Sequence, residues 1–304
     1  MKLLLKLGTS IALCISAAPA LADDTKKDSM TAKTETAIQP PIAEKRPHSY
    51  TVHGVTITDE YHWLRDQGYP KIENKEILAH LEAENAYFEA QMKPQEKLVE
   101  TIFQEMKGRI KEDDASVPQK DGDYLYWRRF QLGAQYKQWL RKPVKAGVEE
   151  IILDETKLAE GKEYFRLGGL TITEDDRVMA YATDTNGSER FTIRFRDLTT
   201  GKDLPDVIEG TLGGFVFTQD GRHLLYGLAN ENWRIDRIKV HKIGTDVAED
   251  KTIYVEPDQG FQAGVGMTQS RKWIILSAGD HETSEVRLLP ANDPFAAPIL
   301  VRAR

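Results

Sequence analysis

The segment Ile172-Thr173-Glu174-Asp175-Asp176-Arg177-Val178-Met179-Ala180-Tyr181 decides the fold, because it recurs. It returns as Phe217-Thr218-Gln219-Asp220-Gly221-Arg222-His223-Leu224-Leu225-Tyr226, and again as Met267-Thr268-Gln269-Ser270-Arg271-Lys272-Trp273-Ile274-Ile275-Leu276. A weaker copy is Gln119-Lys120-Asp121-Gly122-Asp123-Tyr124-Leu125-Tyr126. Aligned on Asp123, Arg177, Arg222 and Lys272, which each precede a strand, the copies lie 54, 45 and 50 residues apart. A period of this size, with about four strands per unit, is that of propeller blades.

Each of the last three units supplies four strand candidates. In the second unit they fall near residues 170–173, 178–182, 191–196 and 206–208. In the third they fall near 215–218, 223–227, 237–242 and 252–255. In the fourth they fall near 263–267, 273–277, 285–289 and 299–301. Asp121-Gly122, Asn186-Gly187 and Asp220-Gly221 supply the positive φ that tight turns need. After Pro118 the apolar period is two. A β-sandwich competes as an architecture but does not account for the repeat. The expected fold is mainly β: about four propeller blades over residues 115–304, preceded by an N-terminal helical extension over 45–114.

Helical periodicity marks that extension. Ile77, Leu81, Phe88 and Met92 share one face, and Pro94 ends that helix or starts the next. Leu98, Ile102, Met106 and Ile110 form a second stripe, with Gly108 as a weak point near its end. Both stripes are expected to be buried by packing rather than to bind a ligand.

Upstream, Lys2 and Lys6, an apolar stretch through Ile15 and Ala20-Leu21-Ala22 have the order of a secretory signal peptide over residues 1–22. Residues 23–44, poor in large apolar side chains and containing Pro40-Pro41, read as a disordered linker. The leader holds the only cysteine, Cys14, so a mature chain carries no thiol. It also holds two lysines and no acids, so its removal turns the net charge of −7 into −9. The acidic balance excludes nucleic acid as a main partner. The expected location is periplasmic or secreted, with no membrane contact after cleavage.

The search for chemistry returns no catalytic residue, no cofactor-binding residue and no metal ligand. A nucleophile elbow needs Gly-x-Ser-x-Gly. Ser277 has Ile275 where the first glycine should stand, and Ser188 sits between Asn186 and Arg190. The seven histidines, His48, His53, His62, His80, His223, His241 and His281, form no helical ligand pair. Glu112-Asp113-Asp114 reads as a solvated acidic loop.

Other residues resemble a known family. Pro47-His48, Val52-His53-Gly54 and Asp59-Glu60-Tyr61-His62-Trp63-Leu64-Arg65-Asp66 resemble the opening of the prolyl oligopeptidase family of serine peptidases, and Glu82–Tyr87 fits the same region. Glu105–Pro118 is similar to the helix-to-propeller junction of its oligopeptidase B branch. Phe195–Gly201 and Thr283–Leu289 resemble blade strands. The resemblance covers residues 43–304. It implies a seven-bladed propeller joined to a C-terminal α/β-hydrolase domain that carries a Ser-Asp-His triad and cleaves short peptides after Lys or Arg. On this reading the chain is the N-terminal part of such an enzyme. It lacks the hydrolase domain, which would be its partner, and is inactive alone. The alternatives are a non-enzymatic propeller that binds peptides or a partner protein, and a part of a prolyl-specific member.

Overall fold

The computed structural model describes residues 39–68 and 71–304. The signal peptide read over 1–22 and most of the linker read over 23–44 lie outside the described residues. The chain divides into two compact units at Met106/Lys107.

The first unit opens with an antiparallel hairpin, β1 (His48–Val52) and β2 (Val55–Asp59), turned by Gly54 at φ 79°. The helical reading of 45–114 did not include this hairpin. Its β-branched residues Thr51, Val52, Val55, Thr56, Ile57 and Thr58 fit a pleated surface, and the hydroxyls of Ser49 and Thr58 meet across the strands at 2.8 Å. Helix α1 (Lys75–Met92) starts at Asn74, whose side chain accepts from the N–H groups of Glu76 and Ile77. Asp66 accepts from the N–H groups of Glu73 and Asn74 and so fixes the entry. One 3-10 turn containing Pro94 leads into α2 (Glu96–Gly108). Only Ile77 of α1 is buried, and α2 buries none of its residues. The expected burial of the two stripes is therefore not seen beyond Ile77: Leu81, Phe88 and Met92 of the first stand exposed, and so do Leu98, Ile102, Met106 and Ile110 of the second.

The second unit is a series of antiparallel sheets. The first holds β3 (Gln119–Asp121), β4 (Tyr124–Phe130), β5 (Lys137–Pro143) and β6 (Glu150–Asp154) in sequence order. A short helix, α3 (Glu155–Ala159), follows. The next sheet runs through β7 (Arg166–Ile172), β8 (Val178–Asp184), β9 (Phe191–Asp197), β10 (Lys202–Phe217), β11 (His223–Ala229), β12 (Ile235–Lys242) and β13 (Lys251–Val255). The last holds β14 (Gln262–Met267), β15 (Trp273–Gly279), β16 (Ser284–Pro290) and β17 (Ile299–Arg302).

The seven-stranded sheet corrects one expectation. The strands read separately at 206–208 and 215–218 are both parts of β10. Its first half pairs with β9 and its second half with β11, with register shifts around Thr211. Gly210, Gly213 and Gly214 adopt φ of 75°, 99° and 76°, which lets the strand swing from one blade to the next without a break. Counted as blades, the four units are β3–β6, β7 to the first half of β10, the second half of β10 to β13, and β14–β17.

The repeated segment is an inner hairpin in the last three blades. Thr173, Thr218 and Thr268 accept on their hydroxyls from the N–H groups of Val178, His223 and Trp273, at 3.1, 3.1 and 3.2 Å. The first two hydroxyls donate to Asp175 and Asp220 at 2.6 Å. The left-handed position is filled by Asp176, Gly221 and Arg271. The motif is thus a turn whose side chains satisfy its own backbone.

Three hydrophobic clusters separate successive blades. Ile152, Leu153, Met179 and Tyr181 lie between the first and second. Ala180, Phe191, Phe195, Phe217 and Leu224 lie between the second and third. Leu225, Ile238, Ala263, Ile274 and Leu289 lie between the third and fourth. Strands β8 and β11 send alternate residues into different clusters, so both of their faces are buried. That is why Val178–Ala182 and His223–Gly227 read as near-continuous apolar runs rather than a strict alternation.

Among the described residues strand β17 pairs only with β16, and Ile299, Leu300 and Val301 are 45–60% exposed. An apolar free edge templates pairing with another chain. The isolated chain is expected to self-associate with rising concentration in sedimentation, and Leu300→Lys to reduce this. A monodisperse monomer at every concentration would contradict it.

Candidate functional site

The innermost strands converge at their turn ends on a cavity of about 350 Å³. Its rim is built by the repeat itself: Glu174, Gln219 and Gln269 each follow the turn threonine. Across the cavity the Arg271 guanidinium reaches both carboxylate oxygens of Asp121, at 2.5 and 2.6 Å, and so ties the first blade to the fourth. Carboxylate, carboxamide and guanidinium groups at one opening can bind the charges and amides of an extended peptide.

The residues weighed for chemistry stay apart. Ser277 lies within β15, opposite Gly264. Ser188 sits in the turn after β8, where Asp184 accepts from the N–H groups of Asn186, Gly187 and Glu189. Ser188 is therefore a turn residue. Glu112 pairs with Lys107, and the Asp114 carbonyl accepts from the Phe130 N–H. Among the described residues no group of three or more His, Cys, Asp or Glu could hold a metal ion.

A polar pattern between the blades had escaped the sequence reading. Tyr181 and Tyr226 occupy one position of the repeat and Tyr126 stands one residue out of step with them; a cationic or imidazole side chain stands 15 residues after each: Arg141, Arg196 and His241. In the second blade the Tyr181 hydroxyl donates to Asp203 at 2.8 Å and Arg196 Nε to the other oxygen at 2.7 Å. In the third, the Tyr226 hydroxyl donates to Asp250 at 2.7 Å, while His241 Nδ1 lies 2.8 Å from its other oxygen. In the first, Tyr126 donates to Asp176 at 2.6 Å, and Arg141 reaches Glu150 and the Asp176 carbonyl. Burial, and then the hydrogen bond to Asp203, push the Tyr181 hydroxyl up to about 12. Burial and Asp250 push that of Tyr226 further up. These phenols remain protonated donors at any ordinary pH. The tyrosine that ends each copy, with a base 15 residues on, is the signal that could have revealed them. The fourth blade has Leu276 there and departs from the pattern.

Glu256, just after β13 of the third blade, instead takes a cation from the chain that follows β17. Arg304 donates to both of its oxygens, at 2.8 and 2.9 Å, and Tyr254 donates at 2.8 Å. Arg304 foremost holds the Glu256 carboxyl down at about 2. A carboxyl lowered on folding stabilises above its ordinary value near 4.5, and the stabilisation is lost as pH falls toward about 2. Glu256→Gln is expected to flatten this acid limb of melting temperature against pH. An unchanged limb would sink the assignment.

Four-stranded antiparallel units, packed face to face through apolar clusters and converging on a polar opening, define a β-propeller domain. Residues 40–304 match the family model described as prolyl oligopeptidase, N-terminal beta-propeller domain. The chain belongs to the prolyl oligopeptidase family and contributes propeller of that kind. It is 37% identical to dipeptidyl aminopeptidase BI of Pseudoxanthomonas mexicana over 289 residues, covering 89% of this chain and 40% of that protein. It is 30% identical to protease 2 of Moraxella lacunata, covering 87% and 39%. Oligopeptidase B from Leishmania major superposes with a TM-score of 0.81 at 28% identity, covering 87% of this chain and 39% of that one. The chain therefore spans about two fifths of the length of these relatives.

Proposed function

We propose that this chain forms the propeller part of an oligopeptidase B-like serine peptidase that cleaves short peptides after Lys or Arg. The observation that carries the reading is the match over residues 40–304 together with the superposition on oligopeptidase B. In such an enzyme the serine of a triad on an α/β-hydrolase domain attacks the scissile carbonyl. Histidine takes its proton and returns it to the leaving amine, and aspartate orients the ring. Acidic groups pair with the basic residue before the cut. The propeller covers that site and admits only short peptides. By itself the chain supplies neither nucleophile nor base and does not hydrolyse peptides. Residues 1–22 direct export to the periplasm, so the mature N-terminus is Asp23, which mass spectrometry of the processed protein checks.

A second reading rests on the 37% identity to dipeptidyl aminopeptidase BI: release of dipeptides from a free N-terminus. Two fluorogenic amides separate the readings, Arg-Arg with a free amino group and Arg-Arg with that group blocked. The chain alone is expected to cleave neither; hydrolysis abolished by a covalent serine reagent would overturn its inactivity. The product of the gene read beyond codon 304 is expected to cleave both. Cleavage of the free form alone would favour dipeptide release. A frame with no Gly-x-Ser-x-Gly segment would favour a non-enzymatic propeller.

A further inference from the structure

His241 is fully buried on β12 and is held between two buried carboxylates. Nδ1 lies 2.8 Å from Asp250 Oδ1, and Nε2 lies 3.0 Å from Asp206 Oδ1. Asp206 comes from β10, where its Oδ1 also accepts from the Gly244 N–H at 2.5 Å. Its Oδ2 is buried without a partner. Asp250, just before β13, takes the Tyr226 hydroxyl from β11 on its other oxygen. The Phe195 ring from β9 lies 5.6 Å away and closes the site. His223 on β11 is the remaining titratable group near the ring, and burial lowers its proton affinity.

The stoichiometry is decisive. Ionised carboxylates only accept, and a neutral imidazole has one N–H. Two ring nitrogens facing two carboxylates therefore need two protons. A neutral ring would either turn a lone pair toward a buried carboxylate, which is repulsive and leaves both unsatisfied, or need one carboxyl to keep its proton; aspartate binds a proton more weakly than histidine, and the Gly244 N–H already donates to the Asp206 oxygen that faces the ring. The repeat supplies a second, independent argument. The equivalent position in the second blade, Arg196, holds a permanent cation: both residues pair with the position two before the tyrosine of their blade, and Arg196 shares Asp203 with Tyr181 as His241 shares Asp250 with Tyr226.

We propose that His241 is a buried imidazolium clasped by Asp206 and Asp250, a titratable cation where the second blade carries arginine, and that it makes the third blade pH-sensitive. In the unfolded chain at pH 8 the same three groups hold one proton, because free histidine is then neutral. Folding thus takes up one proton. One proton taken up corresponds to a tenfold rise in the unfolding constant per pH unit.

The test uses the full chain labelled with ¹⁵N-histidine. At pH 8 the His241 ring, assigned by its loss in His241→Gln, is expected to show both nitrogens protonated. A neutral-ring pattern at pH 8 would overturn the proposal. Urea unfolding from pH 7 to 9 is the second readout. The wild-type unfolding constant is expected to rise by up to tenfold per unit relative to Asp206→Asn/His241→Gln, which keeps hydrogen-bonding groups but carries no titratable ring. Parallel pH profiles of the two proteins would overturn it. Should the double variant fail to fold, the ring pattern decides.

Discussion

Truncating Phe195 to Ala is expected to lower the unfolding free energy by about 3–5 kcal/mol, the cost of a large aromatic deleted from a packed core. Phe195 has no exposed surface. Its ring lies 6.3 Å from that of Phe217, on β10, and packs in the cluster between the second and third blades. This cluster supplies the apolar contact between the second and third blades. A cavity here weakens both neighbours, because β10 belongs to both. The control is Phe103→Ala on α2. Phe103 is 55% exposed, and its truncation is expected to cost no more than about 0.5 kcal/mol in the same chain. Urea denaturation of the two variants measures the difference. Equal losses would contradict a core placed between the blades.

The second large effect is expected from Asp250→Ala, at about 3–5 kcal/mol. The Asp250 side chain is 1% exposed and serves both the Tyr226 hydroxyl and His241 Nδ1. Its removal strands two buried donors where no water reaches. Asp203→Ala breaks the matching arrangement in the second blade, but the Asp203 side chain is 39% exposed and its partners can turn to solvent. A loss of about 1 kcal/mol is expected there. The contrast between two variants of one motif isolates desolvation as the cause. A larger loss for Asp203→Ala than for Asp250→Ala would refute that account.

The candidate site was only partly legible in the sequence. Glu174, Gln219 and Gln269 lay within the quoted copies, so their common placement at one opening follows from the repeat. Their pairing across the axis did not. Asp121 and Arg271 are 150 residues apart, and nothing local links them. His241 was read as one histidine among seven, with no ligand spacing. Its meaning lies in Asp206 and Asp250, which arrive from a different strand and a different loop. The β1–β2 hairpin does carry a period-two pattern, with Tyr50, Val52, Val55 and Ile57 on one face and Ser49, Thr51, Thr56 and Thr58 on the other; it was missed because helical periodicity was read over the whole of 45–114.

What the sequence determined by itself is the repeat, and with it the blade architecture and most of the strands. A Thr-x-Asp turn followed by an apolar run encodes its own hairpin through hydrogen bonds within ten residues. Tertiary structure alone decided how the units join. Strand β10 continues through two blades because Gly210, Gly213 and Gly214 can take positive φ, while its partners β9 and β11 hold either half. It also decided which polar groups are desolvated together, since burial is a property of the packed blades and not of any one of them.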